Sequence, residues 1–193
     1  MRAALLILIL FLGSCGLVPR DLPPPASETQ ISELAAAIGA LDPQVDPAEA
    51  ARAARISFTY SRQLAEQYEI EDSPLVHNIK VNRGTKPRGL CWHWAEDLEK
   101  RLAQENFQTL DLHRGIANAD SRILIDHSSV MISAEGDRME DGIVLDPWRN
   151  GGRLFWAPVR EDTRYPWRER MQVLREEGRI VFVNRYGAQA LPQ

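Results

Sequence analysis

The chain has 193 residues, of which 26% are charged and 44% hydrophobic, so it is long enough for one domain with a real core and has an ordinary globular composition. Its formal net charge is −4. No basic stripe is present to neutralise phosphates, which excludes nucleic acid as an expected partner.

Met1 and Arg2 precede an apolar run from Ala3 to Leu12, then Gly13, Ser14 and Cys15. A positive start, an apolar stretch and small residues read as a targeting segment. The order Leu12-Gly13-Ser14-Cys15 resembles a lipobox, in which bacteria attach lipid to the cysteine and cleave just before it. Residues 1–14 are then a lipoprotein signal peptide, and Cys15 is the lipidation site that anchors the protein to a membrane. Gly16, not Asp, follows the cysteine, so the inner-membrane retention signal is missing. The expected location is the bacterial cell envelope, at the periplasmic face of the outer membrane in a diderm host. An uncleaved anchor or plain secretory signal is the competing reading, although the uncharged stretch from Ala3 to Pro19 is short for a ~30 Å hydrocarbon core.

Residues 15–29 contain Pro19, Pro23, Pro24 and Pro25 and read as an extended tether. Residues 30–193 read as a single domain. Ile31 to Leu41 is a short helical candidate. Asp46-Pro47 supplies an N-cap and a first-turn proline for a helix running to Tyr68. Glu71 to Gly89 shows no clear periodicity and reads as a functional loop. The next helix runs from Cys91 to about Gln104, with Trp94, Ala95, Leu98 and Leu102 on the stripe that begins at Cys91. Strands are expected over Phe107–His113, Ile123–Ile132 and Gly142–Asp146, with further candidates at Leu154–Trp156 and Ile180–Val183. Helices first and strands later indicate an α+β fold.

The chemistry concentrates in three strings: RGLCWHWAEDL (Arg88 to Leu98), DHSSVMI (Asp126 to Ile132) and IVLDPWR (Ile143 to Arg149). Cys91 is one of two cysteines. If Cys15 carries lipid, Cys91 is a lone thiol in an oxidising compartment, which points to reactivity or to deep burial. A thiol needs a base or a stabilised thiolate to act as a nucleophile. A helix N-terminus, an imidazole and an orienting carboxylate supply both. If the second and third strands form a hairpin that pairs Ala134 with Met139, His127 falls directly opposite Asp146, within reach of a hydrogen bond. A bulge near Asp141-Gly142 would upset that register. His127 is otherwise a satisfied strand histidine, and Asp146 a turn-initiating Asp-Pro.

These strings resemble the transglutaminase-like branch of the papain-like cysteine enzymes. In that superfamily a cysteine opens the central helix, and a histidine and an aspartate follow on adjacent antiparallel strands, the aspartate commonly before proline, as in Asp146-Pro147. The resemblance covers Arg88 to Arg149. It implies a papain-like core, with N-terminal helices and the Cys-bearing helix packed on an antiparallel sheet. It implies Cys91 as nucleophile, His127 as base and Asp146 as the group that orients it.

An oxyanion needs donors. The Cys91 amide is one, and Asn78 and Asn82 are the side-chain candidates for a second. His93 points away from Cys91 on a helix and reads as a packing or surface residue. No cofactor is expected, and no metal, because His93 and Asp97 have no third ligand. Of the five tryptophans, Trp148 is the candidate for lining a cleft. The leading reading is a membrane-tethered thiol enzyme that cleaves or transfers amide bonds through a thioester. Its substrate is a peptide or protein amide, with peptidoglycan stem peptides suggested by location. The alternative is a non-catalytic envelope binding module that keeps the fold.

Overall fold

The computed structural model describes residues 22–121 and 123–179, together with the backbone of Val183–Asn184 and Gly187–Ala188. The leader, Cys15 and the first part of the Pro-rich segment lie outside the described residues, as does most of the strand expected over Ile180–Val183.

The architecture is α+β, with five helices and one five-stranded antiparallel sheet among the described residues. Helix α1 (Glu28–Gly39) is set by a capping box, in which Ser27 Oγ accepts from the Gln30 amide at 3.2 Å and Gln30 Oε1 accepts from the Ser27 amide at 2.9 Å. That box starts the helix earlier than its apolar stripe does. Just before it, Arg62 Nε donates to the Pro23 carbonyl at 3.0 Å, so the chain is docked on the domain before residue 30. Helix α2 (Pro47–Gln67) begins as expected, with Asp46 accepting from the Ala48 amide at 2.6 Å.

The segment read as an irregular loop contains helix α3 (Pro74–Asn82). It gave no periodic signal because its apolar residues do not form its buried face. Leu75 and Ile79 are exposed, while His77 and Asn78 are buried. Helix α4 (Cys91–Ala103) buries Trp94, Ala95, Leu98 and Leu102 on the expected stripe.

Strands β1 (Leu110–Ala117), β2 (His127–Ala134), β3 (Ile143–Asp146), β4 (Phe155–Pro158) and β5 (Arg168–Glu169) pair in the order β4-β3-β2-β1-β5. Helix α5 (Arg170–Glu176) follows, and β6 (Val183–Asn184) pairs with β7 (Gly187–Ala188). Strand β2 begins at His127, not at Ile123. Ile123, Leu124 and Ile125 are strand-like in composition but exposed in the preceding loop.

Alternation divides the sheet into two faces. Val130, Ile132, Ile143 and Leu145 pack under α1, α2 and α4. Met131 and Val144 pack on the other side, with Met139, Val159 and Trp167. Full burial of Leu34, Leu98, Leu102 and Leu145 contributes ~1.5–3 kcal/mol each. The β2–β3 register also differs from expectation. Val130 pairs with Leu145 and Ile132 with Ile143, two residues out of the register that pairs Ala134 with Met139. A 3₁₀ turn at Met139–Asp141 takes up the extra residues. A shift of two preserves the face of every side chain.

Candidate active site

Cys91 is the first residue of α4, and its position is fixed by the two residues before it. Gly89 has φ 126°, a conformation that favours glycine, and a Cβ there would lie 2.4 Å from His77 Nε2. His77 Nε2 donates to the Arg88 carbonyl at 2.8 Å, and Trp94 Nε1 donates to the Gly89 carbonyl at 3.0 Å. His93, expected to be a packing or surface residue, is buried and caps its own helix. Its Nδ1 accepts from the Gly89 amide at 3.1 Å and the Leu90 amide at 3.2 Å. Burial, and then the nearby Arg88 charge, hold the His93 pKa below its ordinary value, consistent with a neutral ring whose Nδ1 accepts.

Cys91 is 7% exposed, and its sulfur lies 3.5 Å from the Asp126 carbonyl. His127 follows at once as the first residue of β2. Its Nε2 donates to Asp146 Oδ2 at 2.6 Å, although Asp146 is a diagonal and not a direct partner in the observed register. Nδ1 is buried and has no hydrogen-bond partner among the described residues. The ring packs at a tilt among Trp148, Tyr165 and Trp167, with centroids at 4.7, 4.4 and 5.2 Å. Burial, the largest single influence, pushes the His127 pKa down. The Asp146 charge and hydrogen bond, reinforced by Cys91, outweigh it and raise the pKa to about 9.

Asp146 is fully buried, and burial alone would raise its pKa. The His127 and Arg149 interactions prevail and hold it below the ordinary carboxylate value. Arg149, the last residue of the third motif, is a further member of the site. Its amide donates to Asp146 Oδ1 at 3.1 Å and its Nε to Oδ2 at 3.0 Å. Its two terminal nitrogens grip Asp162 at 3.1 and 2.6 Å. Trp167 Nε1 donates to Asp162 Oδ2 at 2.9 Å, which closes the chain of contacts back onto the His127 ring. The guanidinium also sits over Phe155 at 3.7 Å. The sequence signal for Arg149 was its place three residues after Asp146. Asp162, Tyr165 and Trp167 carried none.

The chain matches no family model, no curated protein and no solved structure.

The cleft beside Cys91 has a volume of about 500 Å³, and Trp92, Arg114, Ile116 and Ser128 are among its walls. Of the two asparagines expected near it, Asn78 is buried, and its Oδ1 accepts from Trp148 Nε1 at 3.1 Å. Asn82 is exposed at the end of α3. Trp148 packs in one cluster with Cys91 and Trp94. Among the described residues no group of three His, Cys, Asp or Glu side chains could hold a metal ion.

Proposed function

We propose that this protein is a transglutaminase-like thiol enzyme with a papain-like core, which cleaves or transfers amide bonds as a peptidase or amidase. The observation that carries this reading is the 2.6 Å hydrogen bond from His127 to the buried Asp146, with His127 and Cys91 lining one cleft. With Nε2 committed to Asp146, Nδ1 is the ring atom free to take the thiol proton. The raised His127 pKa favours the imidazolium that results. The Cys91 thiolate then attacks the amide carbon. As the first helical residue, Cys91 has an amide without an intrahelical acceptor, suited to the developing oxyanion.

Neither asparagine is among the residues that line the cleft, and Asn78 Oδ1 is engaged by Trp148, so the Cys91 amide is the donor this reading rests on. Collapse of the tetrahedral intermediate breaks the C–N bond, and His127 returns its proton to the leaving amine. Water or a second amine resolves the thioester. The reading includes the Cys15 lipid anchor and an envelope location, with peptidoglycan stem peptides as a candidate substrate.

The test is a screen of the purified protein against a peptide set, for cleavage and for incorporation of a labelled amine. Turnover is expected, and Cys91→Ala should abolish it. Equal turnover by folded Cys91→Ala overturns the reading. So does a complete lack of turnover and of covalent capture of Cys91 by peptide-based electrophiles, the outcome a binding module predicts.

A further inference from the structure

The cleft carries a cationic surplus on an acidic chain. Lys100, Arg114, Arg170 and Arg179 line it against Glu96, Glu99 and Asp126, although the whole chain has a net charge of −4. Two of the carboxylates are already engaged. Lys100 holds Glu96 at 2.9 Å, and Arg114 holds Glu99 at 2.9 Å. Arg170 has no carboxylate within ion-pair distance among the described residues, and its guanidinium reaches the Met171 sulfur at 3.9 Å. Among the described residues Arg179 pairs only with Glu177, at 3.0 Å near the surface, a contact of small energy.

Arg114 lies at the inner wall, with its side chain 12% exposed. One nitrogen reaches the Trp92 carbonyl at 3.4 Å and Ser128 Oγ at 3.3 Å, the residues next to Cys91 and His127. Its Nε is buried and makes no hydrogen bond among the described residues. A guanidinium is the side chain best shaped to grip a carboxylate, and Arg170 lines this cleft with no carboxylate partner among the described residues.

We infer that the cleft is a carboxylate subsite: it takes substrates with a free carboxylate close to the reacting amide, gripped by Arg170 and Arg179, with Arg114 behind them. This rests on the thiol reading of Cys91 and adds the substrate class. The carboxylate is either a peptide C-terminus or an acidic side chain.

The experiment compares alkylation of Cys91 by iodoacetate and by iodoacetamide, which differ chiefly in charge, read by mass spectrometry of the Cys91 peptide. Free cysteine in the same buffer sets the baseline ratio of the two rates. The protein should show a ratio above that baseline. The Arg170→Gln/Arg179→Gln variant should lower it about fourfold, roughly twofold for each cation about 10 Å away through water. Salt at 1 M should bring it toward the baseline. Short peptides should then protect Cys91 better as acids than as amides. Peptides with a free C-terminus and peptides with only a glutamate carboxylate separate the two sources. A ratio at the baseline, or one that the variant leaves unchanged while its melting temperature is retained, overturns the subsite and leaves the thiol reading standing. Failure of Cys91 to react with either reagent overturns both.

Discussion

Arg149 stands between two buried carboxylates, Asp146 and Asp162, and is bonded to both through its side chain. The catalytic aspartate of the proposed site is thus held by a cation as well as by His127. Substituting Arg149 with Met leaves two buried carboxylates short of a partner. The expected cost is ~3–5 kcal/mol of stability, read from urea denaturation midpoints. Adding Asp162→Asn should recover part of it, since the second orphaned charge is removed. A loss under 1 kcal/mol would show that the network contributes little.

Cys91→Ala should remove all turnover, and adding His127→Ala should remove nothing more, because the two act as one unit. Asp146→Asn should cost less in rate than either, since thiol and imidazole remain. Kinetics with any substrate found, alongside thermal melts of each variant, check this. Purely additive effects would separate the residues into independent roles.

His127 titrates near 9 when folded, above the ~6.5 of a free imidazole. The folded state holds that proton more tightly. Its stabilisation is therefore full below about pH 6.5 and is lost as pH rises through about 9, on the order of 3 kcal/mol. Melting temperature against pH should fall over this window in the native protein, and the fall should be shallower in His127→Gln. Identical slopes would remove the pair from the stability account.

His93 shifts in the opposite direction. It binds its proton less readily when folded, so its stabilisation is present at neutral pH and is lost as pH falls below about 6.5. Protonation of Nδ1 would also remove the acceptor for the Gly89 and Leu90 amides. His93→Ala should cost ~1 kcal/mol or more, as the loss of a helix cap does, and should slow alkylation of Cys91. Unchanged alkylation would show that the cap does not position the thiol.

The lipobox-like Leu12 to Cys15 predicts that Cys15→Ala is released from membranes or left unprocessed. Cell fractionation and mass spectrometry of the mature N-terminus check this. A normally processed, membrane-bound variant would refute the lipid anchor.

Position and residue type on single elements were legible in the sequence. Asp46 and Pro47 fixed the start of α2 through local capping, and Cys91 could be placed at the head of α4 from the stripe of Trp94, Leu98 and Leu102. The motif order alone marked Cys91, His127 and Asp146 as candidates. Face parity survived the two-residue error in register, because strand side chains alternate and an even shift keeps their face. The register itself depended on the Met139–Asp141 turn, whose geometry no local propensity specified. Helix α3 was missed because its buried residues are His77 and Asn78, while Leu75 and Ile79 face outward. Ile123 to Ile125 looked like strand because composition cannot tell an apolar residue left exposed from one that is covered. The partners of Asp146 beyond Arg149 were invisible for a related reason. Asp162 and Trp167 meet the site only through long-range packing across the sheet, and a side chain acquires such a partner only when the tertiary fold excludes water around both.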